Sequence, residues 1–362
     1  NHGSFGACPV PIYNERAKWQ LELEKQPVRF IERRVFDLVD KSRENLAKYI
    51  NCHKDDIVFF PNPTTALNMV IRSLKLNKDE HVITTDHEYG ALDRTWKFIS
   101  NKRGFNYTKV NVSLPIDEDA IIQSFKNKIN NKTRVIFLSH ITSPTGLILP
   151  IKRICELAKN YNIIIIIDGA HVPGHIELDL EDLGVDVFTG ACHKWMMCPK
   201  GVSFLYASKK IQPILEPLVV SWGWESENPT HSQFLDYHQY QGTNDPSSYI
   251  SVSKAIEFME EYRWGEVRDY CHDMVVKSRE ILLETTGTQS ICKPELLGQM
   301  ASIQVNVPDP INLYKYFISK NIEIPVINWG DKVFIRVSFQ CYNSMEDIEL
   351  LNNHLKKYLD GI

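Results

Sequence analysis

Five consecutive isoleucines, Ile163 to Ile167, closed by Asp168, constrain the fold more than any other stretch of this chain. The run is β-branched at every position and shows no polar alternation, so it suits a strand whose two faces are both covered. It is also far too short to span a bilayer. Similar apolar runs recur at 56–60, 81–85, 105–112, 134–140, 185–190 and 201–208. Helical patterns lie between them: "TTALNMVIRSL" sets Leu67, Val70, Ile71 and Leu74 on one face, and "IKRICELAKNY" sets Ile151, Ile154, Leu157 and Ala158 on another. Strands alternating with amphipathic helices predict an α/β fold with a mostly parallel sheet.

Beyond about residue 250 the pattern changes to longer helices, then strand-like "ASIQVNV" and "KVFIRVSF", then a closing helix from Met345. The expected division is an N-terminal arm near the site (1–17), a large domain (18–250) and a smaller α+β domain (251–362). The stretch 217–247, rich in Trp, Pro, Ser, Asn and Gln, reads as a long irregular loop of the kind that serves function or subunit contact.

With 41 basic and 45 acidic residues the formal charge is −4, which gives no general attraction to nucleic acid or anionic lipid and leaves small molecules as the expected partners. The eight cysteines are dispersed and form no CxxC pair, so free thiols in a reducing compartment are expected, and with no basic and apolar leader at the start, a cytoplasmic location. No dinucleotide fingerprint, P-loop or HExxH motif occurs. Pro173 and Gly174 between His171 and His175 oppose a shared helical face, and no metal site is expected.

Ligands of open parallel sheets bind beyond the carboxyl ends of the strands. The residues there are Asp86, His87, His140, Asp168, His171, His193 and Lys194. Taken alone, Asp168 is about as readily a helix cap or strand-end ion-pair partner as a catalytic residue. Lys194, however, follows 26 residues later beyond the next strand, within the otherwise apolar "TGACHKWMMCPKG" (189–201). A carboxylate that keeps a pyridine nitrogen protonated, with a lysine able to form an imine to the same ring, is what pyridoxal phosphate requires. "PNPTTALN" places Thr64 and Thr65 at a helix start, which suits either plain capping or an anion site.

Taken together, "IIIDGAH" (165–171), "TGACHKW" (189–195), "TDHEYGA" (85–91), "SHITSPTGLILP" (139–150), "QGTND" (241–245) and "RVSFQCYN" (336–343) resemble the class V aminotransferase superfamily of pyridoxal-phosphate enzymes. With the opening "NHGSFGACP", the chain is similar to the isopenicillin N epimerase-like branch, near the cysteine desulfurases, selenocysteine lyases and the sulfoxide lyase of ergothioneine synthesis. The resemblance covers the whole chain and implies the aspartate aminotransferase-like fold (fold type I). It implies Lys194 as the Schiff-base lysine, Asp168 as the partner of the pyridine nitrogen and His87 as the residue stacked on the ring. Thr64, Thr65 and His193 match phosphate contacts, and Ser143 and His171 match positions beside the phenolic oxygen. Thr243 matches a residue reaching the phosphate from the other subunit, which implies a homodimer with shared sites. Arg336 matches the clamp for the substrate carboxylate.

Two departures stand out. Ala191 replaces a polar residue often found before "HK". Desulfurases carry a nucleophilic cysteine before the carboxylate arginine, whereas "NIEIPVINWGDKVFIR" (321–336) has none; Cys341 lies beyond it and is expected to be a packed thiol. The first functional reading is therefore a lyase that cleaves a C–S bond of a cysteine conjugate or sulfoxide by β-elimination, yielding pyruvate and ammonia. The alternative is an epimerase or racemase with His87 as a second acid; a persulfide-forming desulfurase and a catalytically degenerate binding protein rank lower. The segments "VVSWGWE" (219–225) and "NHGSFG", with Asn1 and His2, are candidates for lining a substrate pocket, or equally for core and interface packing.

Overall fold

The computed structural model describes residues 1–361. Seven strands form the larger sheet: β1 (Ile57–Phe60), β2 (His81–Thr85), β3 (Asn106–Val110), β4 (Thr133–Ser139), β5 (Ile164–Asp168), β6 (Val187–Gly190) and β7 (Ser203–Ala207), in the order β1-β7-β6-β5-β4-β2-β3. All pairings are parallel except those of β7, which runs against both β1 and β6. The expected strands are all present: β2 matches its expected range, β4 is shifted by one residue towards the N-terminus, and the others are shorter than expected by one to three residues.

The isoleucine run explains the layering. Ile165 and Ile167 face one apolar cluster, which includes Val39, Leu46, Ile154 and Trp195, while Ile166 faces another built on Leu67, Val70, Trp96 and Phe137. Both faces of β5 are thus dry, and its carboxylate falls at the sheet's edge, where Asp168 sits opposite Ser139 of β4 and Thr189 of β6.

A smaller antiparallel sheet follows: β8 (Met300–Gln304), β9 (Val326–Trp329) and β10 (Lys332–Ser338), in the order β8-β10-β9. Helices Trp264–Thr286, Pro310–Ser319 and Met345–Leu359 pack against it through Val275, Leu282, Phe317 and Leu355. Val252, Ala255, Ile256 and Met259 of the preceding helix, Val252–Glu261, pack instead in the core of the large sheet. The 217–247 stretch is irregular apart from the six-residue helix Gln233–His238 and the start of helix Ser247–Ile250 at its end. No described helix is long and apolar enough to cross a membrane.

Candidate active site

The carboxyl ends of β4, β5 and β6 meet strand β10 around a cavity of about 480 Å³, a size ordinary for a cofactor and a small substrate. Thr64, Ser143, Asp168, His171, His193, Lys194 and Arg336 all line it, so seven of the anticipated residues do converge.

Lys194 is held in the turn after β6. Its Nζ lies 3.1 Å from His171 Nε2. Burial strips water from the ammonium and brings its pKa down to about 8, an effect that the Asp168 carboxylate opposes and the Arg336 charge reinforces. Asp168 is itself raised by burial, against the pull of the Ala170 N–H, which Oδ1 accepts at 3.0 Å, and of Lys194. A buried acid and a buried amine, each shifted away from its charged form, share one chamber.

Arg336 is nine-tenths or more buried and brought down to about 10 by that burial. It donates to the Ser143 carbonyl and, at 3.4 Å, to Ser4 Oγ; its Nε has no partner among the described residues. No carboxylate pairs with it there. A buried guanidinium without a counter-ion is costly unless a ligand supplies the charge, and a carboxylate fits its planar donor fork.

Other expectations need correction. His87 is completely buried and does not line the cavity: Nδ1 bonds Thr145 Oγ1 at 2.8 Å, Nε2 bonds the Val112 carbonyl at 3.0 Å, and the ring packs 4.2 Å from Trp329. With both nitrogens committed, the geometry leaves it no free acid. Tyr89, two residues on in the same motif, lines the cavity instead. The cap of helix Pro63–Ser73 is Asn62, whose side chain accepts the Thr65 N–H at 2.8 Å and the Thr65 hydroxyl at 3.0 Å. The Thr65 hydroxyl is thereby used locally, and only Thr64 presents itself at the helix N-terminus beside the cavity.

Asn1 is exposed, and its side chain accepts the Ser4 hydroxyl at 2.8 Å. His2 is buried and does not line the cavity, bonded to the Lys194 carbonyl at 3.2 Å and to Tyr342 Oη at 2.9 Å. It is Gly3, Ser4 and Phe5 of the short helix His2–Phe5 that reach the cavity. Thr243 lies away from the cavity, in a separate groove with Phe36, Trp222 and Tyr240, so the aromatic stretch 219–225 does not line the chamber of its own chain. Cys341 is exposed, not packed, and its thiol is raised by partial desolvation.

Glu88 was not anticipated. Its fully buried carboxyl accepts both the Ser139 N–H and the Ser139 hydroxyl, each at 2.7 Å, and burial pushes it up to about 7. Its signal was the acidic residue inside "DHEYGA", overshadowed by the histidine before it.

These residues fit pyridoxal phosphate. Lys194 supplies an amine that is substantially neutral near pH 8, Asp168 a buried carboxylate whose Oδ2 makes no hydrogen bond among the described residues, and Thr64 with His193 an anion-facing rim. His193 Nδ1 donates to the Val202 carbonyl at 2.8 Å, so its Nε2 can donate to an anion only when the ring is cationic. Burial opposes that charge, and a phosphate dianion would favour it.

Comparison with known proteins agrees. Residues 28–351 match the family model "Aminotransferase class-V". The chain is 29% identical to isopenicillin N epimerase of Amycolatopsis lactamdurans, covering 99% of this chain and 94% of that protein. It is 28% identical to a probable chloroplastic L-cysteine desulfhydrase of Arabidopsis thaliana, covering 98% of this chain and 81% of that protein. The solved complex of the cystine C-S lyase C-DES with cysteine persulfide superposes with a TM-score of 0.86 at 21% identity, covering 98% of this chain and 96% of that one, a likeness of fold. With its pyridoxal-phosphate fold and a site suited to that cofactor, the chain belongs to the aminotransferase class-V family and is a pyridoxal-phosphate-dependent enzyme.

Proposed function

We propose that this enzyme cleaves the C–S bond of a sulfur-containing amino acid by β-elimination. The observation that carries the reading is a buried amine, Lys194, in one chamber with a buried guanidinium, Arg336, that has no counter-ion among the described residues. The guanidinium selects a substrate carboxylate, and the amine is the base that removes the Cα proton. Pyridoxal phosphate, when bound, supplies the electron sink for the pair left at Cα. Asp168 would provide the negative charge that keeps the ring nitrogen protonated, Thr64 and His193 would hold the phosphate, and Ser143 and His171, which line the same cavity, would lie beside the ring. With the Cα proton on Lys194, the Cβ–S bond breaks and the sulfur leaves with the bonding pair. Addition of water to the resulting unsaturated amino acid gives pyruvate and ammonia. One base suffices for this outcome, and His87, with both nitrogens occupied, offers no second one.

An epimerase is the second reading, favoured by one feature: the Tyr89 side chain on the cavity is a protic group that could return a proton to Cα. Tyr89→Phe separates the two, because elimination persists without the hydroxyl while inversion loses its acid.

We also propose that two copies associate through the groove around Thr243. Trp222 there is 85% exposed and Val28 65%, exposed apolar side chains lining one groove that a second copy would cover. Sedimentation of the purified protein should show a dimer, which Trp222→Lys weakens.

The test of the main reading is pyruvate release from a panel of L-cysteine, cysteine S-conjugates and their sulfoxides. Release that depends on Lys194 and Arg336 supports the lyase. A panel that yields no pyruvate while the enzyme scrambles an α-centre contradicts it.

A further inference from the structure

Trp195 is fully buried between two imidazoles, stacked on His175 at a centroid distance of 3.9 Å and tilted against His2 at 4.9 Å. Its indole N–H, which can only donate, reaches His171 Nδ1 at 3.3 Å. That nitrogen must therefore carry the lone pair, so in the neutral ring the proton sits on Nε2. Nε2 in turn lies 3.1 Å from Lys194 Nζ. An ammonium has three donors and no lone pair. Only the neutral amine can accept from an Nε2–H, and the opposite tautomer would set two buried donors against each other at the indole.

The directionality extends to the small sheet. The Gln299 N–H, just before β8, donates to His175 Nε2. The His175 proton is thereby placed on Nδ1, which donates to the His171 carbonyl at 2.8 Å. His175 is held in that plane by its stack on Trp195 and by Gly298, where an added Cβ would come within 2.3 Å of the imidazole.

We propose that Trp195 is a positioning residue that locks His171 as its Nε2–H tautomer and so selects the neutral amine of Lys194, with His175 and the Gln299 N–H holding the indole in place. The inference rests on the reading of Lys194 as the cofactor-linked base and adds what keeps it reactive. Burial holds both His171 and His175 below the ordinary imidazole range, so both rings are neutral and the tautomer is the variable that matters. The charged or titratable groups facing Lys194 from other elements are Asp168 at the end of β5, Arg336 on β10 and His171, with His193 adjacent in sequence. None of these side chains is itself replaced in Trp195→Phe, which removes the indole N–H bonded to His171 Nδ1. The same Nε2–H is also available to an anionic oxygen of a bound cofactor.

The test uses the full-length, cofactor-free protein with 15N-labelled histidine. Two-bond 15N–1H correlation spectra should show His171 with a protonated Nε2 and a lone pair on Nδ1. In Trp195→Phe the lock is gone: the spectrum should show mixed or reversed tautomers, and covalent attachment of pyridoxal phosphate at pH 7 should slow about tenfold, the effect of roughly one lost hydrogen bond on the protonation balance. A proton on Nδ1 of wild-type His171 overturns the proposal, whatever the variant does. So does a Trp195→Phe protein with unchanged tautomer and unchanged attachment. If the cofactor fails to attach to Lys194 at all, the functional reading falls, and the wild-type tautomer still decides the lock.

Discussion

Lys194 should react with pyridoxal phosphate far faster than an ordinary lysine, and the pH dependence of that reaction measures how much the site contributes. Its pKa is brought from 10.5 to about 8, chiefly by burial. At pH 7 roughly one Lys194 in ten is then a neutral amine, against about one in three thousand for a solvated lysine, a ratio of ~300. The same shift corresponds to about 3 kcal/mol of destabilisation carried by the folded, cofactor-free protein. Because the folded value lies below the unfolded one, the unfolded chain binds more protons between them. The destabilisation is therefore fully present below about pH 8 and fades as the pH rises towards 10.5. The assay is the rate of covalent attachment to cofactor-free protein between pH 6 and 10, followed by absorbance and trapped with borohydride, with Lys194→Ala as the blank. The rate should level off above about pH 8. A rate still climbing towards pH 10.5 would show a solvated lysine and refute the argument from burial.

Asp168→Asn should separate two effects. Asp168 raises the Lys194 pKa, so its loss should move the attachment profile to lower pH, while turnover falls by about 100-fold or more because the ring nitrogen loses its anionic partner. Near-normal turnover would remove Asp168 from that role. Arg336→Ala should raise KM for substrates with a free carboxylate by about tenfold or more, the worth of a charged hydrogen bond, and leave carboxyl esters little affected. Gly174 has φ +80° and a Cβ there would come within 2.4 Å of the Trp195 carbonyl, so Gly174→Ala should cost about 2 kcal/mol or more in denaturant melts. Stability within 0.5 kcal/mol of wild type, on the scale of an ordinary surface change, would show that the turn relaxes around it.

Much of this was legible in the chain because periodicity reports burial. A run of isoleucines ending in Asp168 can sit only in a doubly covered strand, and its last residue must emerge at the sheet's carboxyl edge. Lys194 follows by the same logic from the apolar β6. The antiparallel course of β7 was not legible, since an all-apolar strand has the same pattern in either direction. Strand β9, only four residues long, and helix Pro310–Ser319 lacked a pattern strong enough to stand out. Side-chain direction in turns was the other loss. Beyond the end of β2 no period dictates where a side chain points, so position in "DHEYGA" brought His87 near the site without revealing that Thr145 and the Val112 carbonyl hold it outside while Tyr89 faces in. Likewise Thr65 could not be told from Thr64 until Asn62 was seen to cap the helix.

The most direct test of the central claim follows the substrate α-proton by NMR in heavy water, with cofactor-loaded enzyme and a cysteine S-conjugate. β-Elimination predicts loss of the conjugate matched by pyruvate and released thiol, with little deuterium at Cα of the substrate that remains. Exchange of the α-proton with inversion at Cα and no pyruvate would contradict the lyase and establish an epimerase.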